Sequence, residues 1–134
     1  MKNQSCSGVR ATTIDELDIV FHKFFDASKR PLGLAFEPYP TDFIISPYAK
    51  CGTTWLEQIV HGLRTRGSME FDEINTVIPW LEVAYDVGWD LVKPQVAEPR
   101  VYKSHTSWHD VPKGCRYICS FRHYHSAIVS FYRF

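Results

Sequence analysis

The sequence predicts an α/β chain, a three-layer α/β/α arrangement around a central parallel sheet. Three observations predict it. Short apolar runs near residues 42–46, 100–104 and 116–121 have the length of strands and are bounded by Pro and Gly. The segments between them are long enough to cross over, the first with apolar residues at helical spacing, which is the pattern of parallel strands with right-handed connections. Lys50, the pair Lys103 and His105, and Arg122 each stand just after one of the three runs. In a parallel sheet these positions share the carboxyl edge, where ligands bind.

Taken in order, residues 1–11 are expected to be disordered. Thr13-Ile14-Asp15-Glu16 has the form of a capping box, and Ile14, Leu17, Phe21, Phe24 and Phe25 keep helical spacing to about Ser28. Pro31, Gly33, Pro38 and Pro40 read as a loop leading into the strand near 42–46. A helix from Thr53 runs through Leu56, Ile59, Val60 and Leu63 and stops near Gly67. Residues 72–86 read as another helix, interrupted or started at Pro79. Pro94 and Pro99 bracket a loop into the strand near 100–104, Pro112 and Gly114 make a turn, Arg116–Phe121 is a strand, and 124–134 begins a helix. No repeat, low-complexity tract or domain boundary is evident, so residues 1–134 read as one domain.

Composition narrows the function classes. The 134 residues are 45% apolar and carry no net charge, so nothing speaks for nucleic acid as a partner. The N-terminus lacks the apolar core of a signal peptide, and no window approaches the ~18 apolar residues of a membrane span. Cys6, Cys51, Cys115 and Cys119 fit neither a disulfide framework nor a zinc pair, and free thiols are expected. His105 and His109 are four apart but the segment 106–112 reads as loop, and His123 and His125 are two apart, so no metal is expected.

The stretch Asp42–Leu56, D-F-I-I-S-P-Y-A-K-C-G-T-T-W-L, carries the chemistry. Strand, tight loop and helix present free N–H groups and a helix N-terminus to an anion. Gly52 lets the main chain approach closely, Lys50 supplies a point charge, and the Thr53 and Thr54 hydroxyls can cap the helix or donate to phosphate oxygens. This is a P-loop-like cradle but not a Walker A loop, because the Lys precedes the Gly by two residues instead of following the glycines.

Tyr48-Ala49-Lys50-Cys51-Gly52-Thr53-Thr54-Trp55 resembles the 5′-phosphosulfate loop of the cytosolic sulfotransferases, Y-P-K-S-G-T-T-W, with Ala49 for Pro and Cys51 for Ser. Arg100-Val101-Tyr102-Lys103-Ser104-His105 is similar to that family's R-x-x-K-T-H segment. Arg122 and Ser130 keep the spacing of R-[ND]-P-x-D-x-x-x-S-x-Y, although His123, Tyr124 and Ser126 replace the usual turn residues. Pro79-Trp80-Leu81-Glu82 looks like the family's P-[FW]-L-E helix. The resemblance runs from about Leu32 to the last residue.

That resemblance implies transfer of a sulfonate from 3′-phosphoadenosine 5′-phosphosulfate, as co-substrate, to a hydroxyl or amine of a small-molecule acceptor in the cytoplasm, with no metal, nucleic acid or membrane partner. It implies that Lys50, Cys51, Gly52, Thr53 and Thr54 hold the 5′-phosphate, and that Trp55 stacks on adenine. Arg122 and Ser130 would bind the 3′-phosphate. His105 would be the general base, suited to it by an imidazole that titrates near neutrality, with Lys103 assisting by charge and Trp80 and Val83 lining the acceptor pocket. Members of the family run to about twice this length, within the ~250-residue range of large single domains. The further half supplies an R-K-G clamp on the 3′-phosphate and a dimer motif. The chain is therefore read as a partial domain, incomplete at the C-terminus, with non-specific self-association expected. The alternative is a catalytically inactive fragment that at most binds the nucleotide weakly or acts as an interaction module. A nucleotide kinase is disfavoured by the missing G-K-[ST].

Overall fold

A computed structural model describes residues 13–16 and 29–133. Most of the helix expected to Ser28, and the segment 1–11, lie outside the described residues. Thr13 acts as its capping position predicts, its Oγ1 accepting from the Glu16 amide at 3.2 Å.

The elements are α1 (Arg30–Leu34), β1 (Phe43–Ile45), α2 (Thr53–Thr65), β2 (Val101–Lys103), β3 (Arg116–Ile118) and α3 (Tyr124–Tyr132). Two 3₁₀ turns, Ile74–Thr76 and Leu81–Val83, lie between α2 and β2. The strands form one parallel sheet in the order β2–β1–β3, so the expected parallel α/β arrangement forms. Ile44 is opposite both Tyr102 and Tyr117, and Ile45 is opposite Lys103 and Ile118.

Because side chains alternate across a strand, each strand divides its residues between two cores. Ile45 and Val101 pack with Ile74, Val77 and Ile78 and with Leu56 and Val60 of α2. On the opposite face, Ile44 and Tyr102 pack with Leu81, Ala84 and Leu91. Ile44, Ile45, Ile78 and Leu81 have no exposed surface, and burial of each contributes roughly 1.5–3 kcal/mol. The same alternation sends Lys103 to the α2 face and Ser104 to the other, which sets the surroundings of the site.

Four expectations need correction. Residues 30–34, expected as loop, form α1, because Pro31 sits in the first turn, where its missing N–H costs nothing. Residues 72–86 do not make one helix. Pro79 has no N–H and pushes Ile78 from the helical region, and Trp80 is extended (φ −88°, ψ 112°), so two separate 3₁₀ turns result. The strand expected to Phe121 ends at Ile118, because its neighbour leaves the sheet at Ser46-Pro47. In α2, Ile59 and Leu63 are exposed while Thr53, Glu57 and His61 are buried, so a polar stripe at i, i+4 and i+8 lies inside, with Glu57 reaching Lys103 of β2 and His61 meeting Phe71. The stop near Gly67 forms as expected: Arg66 and Gly67 take left-handed dihedrals, and the Gly67 amide donates to Gly62 at 2.7 Å.

Candidate active site

The loop after β1 is built from backbone. The Cys51 amide closes a turn onto the Tyr48 carbonyl at 3.1 Å, and both Lys50 (φ 63°) and Gly52 (φ 93°) are left-handed. A Cβ on Gly52 would have room, its nearest neighbour outside the adjoining residues being Ser120 Oγ at 3.8 Å, so the dihedral selects glycine here. Gly52 is also the N-cap of α2 and no side chain caps the helix. The first amides of α2 have no intrahelical partner and carry the positive end of its dipole. Thr53 is buried, whereas Thr54 and Trp55 are exposed.

The end of β3 grips this loop through its carbonyls. The Ser120 hydroxyl donates to Cys51, the Cys119 thiol to Ser46 at 3.3 Å, and Arg122 Nη1 to Lys50 at 3.2 Å. With its carbonyls held by β3, the loop is left to present amides to an anion. Arg122 and Ser130 then line one groove of about 380 Å³ together with His125 and Arg133.

Three consecutive residues at the end of β2 go to three different environments. Lys103 is buried; its ammonium donates to Asn75 Oδ1 at 3.0 Å, lies 3.7 Å from Glu57 and sits over the Trp80 ring at 4.5 Å. Ser104 has no exposed surface, and its hydroxyl bonds to Glu82 at 3.2 Å and Thr106 at 2.7 Å. His105 is half-buried. Its Nδ1 stands 3.0 Å from the Pro47 carbonyl, and its ring meets Trp80 edge-on at 5.4 Å. A carbonyl only accepts, so Nδ1 carries the proton and Nε2 of the neutral ring keeps its lone pair. Burial holds the imidazole below its ordinary value; the Pro47 carbonyl raises it, Lys103 lowers it and Glu82 raises it.

The ends of β2 and β3 therefore meet at the loop after β1: His105 through Pro47, Arg122 through Lys50, and Ser120 through Cys51. Trp80 joins His105, while Val83 is buried in the 3₁₀ turn that follows Trp80. Sequence reasoning missed Glu57, Asn75, Glu82 and Ser120. The first two could have been suspected only from the face to which alternation sends Lys103. Arg100, read within the K-S-H segment, lies before β2 at the opposite edge, where it forms a buried bidentate pair with Asp42 (3.0 and 2.5 Å).

Comparison with known proteins agrees with this architecture. Residues 40–134 match the sulfotransferase domain. Human sulfotransferase 1E1 is 34% identical over 110 residues, which are 75% of this chain and 37% of that protein. Mouse sulfotransferase 1B1 is 32% identical over 111 residues, 74% of this chain and 37% of the relative. The crystal structure of an Arabidopsis thaliana protein assigned as a steroid sulphotransferase superposes with a TM-score of 0.54 at 22% identity, covering 69% of this chain and 39% of that one. This chain thus spans little more than a third of the length of the relatives it matches. The matched domain takes in most of the residues, both cores of the sheet and every residue of the site: the chain belongs to the sulfotransferase family.

Proposed function

We propose that the chain transfers a sulfonate from 3′-phosphoadenosine 5′-phosphosulfate to a hydroxyl or amine of a small-molecule acceptor, with His105 as the general base. The observation that carries this reading is the anchoring of the ends of β2 and β3 to the loop after β1: Arg122 Nη1 on the Lys50 carbonyl at 3.2 Å and His105 Nδ1 on the Pro47 carbonyl at 3.0 Å. The donor set fits a bisphosphorylated nucleotide. An uncapped helix N-terminus beside Lys50 suits one phosphate, and a groove with Arg122 and Ser130 suits a second.

The nucleotide supplies an activated sulfonate when bound. Lys50, Cys51, Gly52, Thr53 and Thr54 hold its 5′ end, and Lys50 and the amides stabilise charge developing on the leaving phosphate oxygen. Trp55, 77% exposed on the first turn of α2, offers its face to adenine. Arg122 and Ser130 hold the 3′-phosphate. Nε2 of His105 takes the acceptor's proton as the new bond to sulfur forms and the bond to the phosphate oxygen breaks. Lys103 assists by charge from within the fold, and Trp80 and Val83 shape the acceptor side. No helix among the described residues is long and apolar enough to cross a membrane, and we assign the chain to the cytoplasm.

The chain spans 37% of human sulfotransferase 1E1, which favours a second reading, a nucleotide binder without turnover. Incubating the chain with ³⁵S-labelled nucleotide and a panel of phenols, alcohols and amines separates the two. Labelled acceptor supports transfer, whereas nucleotide binding without labelled acceptor supports the second reading.

A further inference from the structure

Glu82 lies in the second 3₁₀ turn and reaches the end of β2. Its Oε1 accepts from the His105 amide at 2.5 Å and from Ser104 Oγ at 3.2 Å, while Oε2 is buried with no hydrogen-bond partner. The same turn grips its surroundings twice more: the Pro79 carbonyl accepts from the Lys103 amide at 2.9 Å, and Trp80 stands edge-on to the His105 ring. His105 is therefore held through its main chain by Glu82 and through Nδ1 by Pro47, so both the position and the direction of Nε2 are set.

A glutamine would offer the same acceptor oxygen at lower cost, because burying a carboxylate oxygen without a partner is unfavourable. What the carboxylate adds is charge, and it adds it beside the ring that gains a proton in the proposed reaction. We propose that Glu82 is a positioning residue for His105, fixing its main chain and stabilising the imidazolium that forms when the acceptor's proton is taken. The inference rests on the sulfotransfer reading. Among the described residues, two charged side chains act on His105 from the elements around it. Lys103 disfavours the imidazolium, with its own charge offset by Glu57, and Glu82 favours it. The role parallels that of a carboxylate that orients a catalytic imidazole, here exercised through the amide and through space instead of through a ring nitrogen.

The test is Glu82→Gln in the full 134-residue chain, read by NMR titration of the His105 ring and by the pH profile of transfer. The ring should titrate at lower pH than in the unaltered chain, and the acid limb of the profile should move the same way. Transfer at neutral pH should fall by about 10-fold, with affinity for adenosine 3′,5′-bisphosphate unchanged. Glu82→Asp, which keeps the charge, should restore the titration and guards against a merely structural effect. An unchanged His105 titration in Glu82→Gln overturns the inference while leaving the sulfotransfer reading intact. Absence of transfer by the unaltered chain overturns that reading, and the inference with it.

Discussion

The ammonium of Lys103 lies 3.7 Å from Oε1 of Glu57, a carboxylate with no exposed surface and no hydrogen bond to either oxygen. The pair ties α2, the helix that follows the anion loop, to the strand end that carries His105. Removing one partner leaves the other buried and uncompensated, so Lys103→Met should destabilise the chain by about 3 kcal/mol, while the double variant Lys103→Met with Glu57→Leu should recover most of that loss. Urea titration of the three chains measures both.

The same pair gives stability a defined pH dependence. Burial pushes the Glu57 carboxyl above its ordinary 4.5, and the Lys103 charge offsets this only in part. The folded chain therefore holds that proton more tightly than the unfolded chain. The contribution of Glu57 is most favourable at and below pH 4.5, falls as pH rises through the elevated value, and is level above it. The stability of the unaltered chain minus that of Glu57→Gln should decline as pH rises from 4.5 toward neutrality. A difference that grows with pH would mean that the ion pair outweighs burial.

Gly33 in α1 packs its backbone against the second 3₁₀ turn so closely that a Cβ would lie 1.8 Å from the Leu81 carbonyl oxygen. Leu81 belongs to the turn that presents Glu82 and Trp80 to His105. Gly33→Ala should cost on the order of 1–3 kcal/mol, and by displacing the turn it should slow transfer too. A melting temperature equal to that of the unaltered chain would show that α1 can move away without penalty.

Adenosine 3′,5′-bisphosphate should raise the melting temperature more than 5′-AMP or ATP, because it alone offers a phosphate to each of the two subsites. Arg122→Ala should remove most of that preference. Loss of one charge-assisted bond corresponds to about 1.5–3 kcal/mol, or roughly ten- to hundred-fold in affinity. Equal stabilisation by ATP with magnesium would instead favour a kinase-like site.

The strands, the parallel pairing and α2 were legible because each carries a strong local signal: short apolar runs, crossover lengths, and the Gly67 stop. The convergence of Lys50, His105 and Arg122 was legible for a topological reason, since residues following parallel strands must share an edge. The region between α2 and β2 was not. Its apolar residues keep helical spacing, but the backbone break at Pro79 and the extended Trp80 override that period. Glu57 and Glu82, the latter read only as part of Pro79-Trp80-Leu81-Glu82, received no role for another reason. Their roles depend on partners 46 and 23 residues away in Lys103 and His105, and no local pattern marks a carboxylate that is buried only because a distant strand end reaches it.

Single-turnover transfer of labelled sulfonate by the unaltered chain and by His105→Ala, with the affinity of each for adenosine 3′,5′-bisphosphate, tests the assignment of the base. Removing a general base slows the chemical step by about 10²–10⁴-fold while leaving ground-state binding in place. The account predicts that loss of rate in His105→Ala, with nucleotide affinity little changed. A variant that transfers as fast as the unaltered chain once nucleotide is saturating would contradict it and return His105 to a purely structural role.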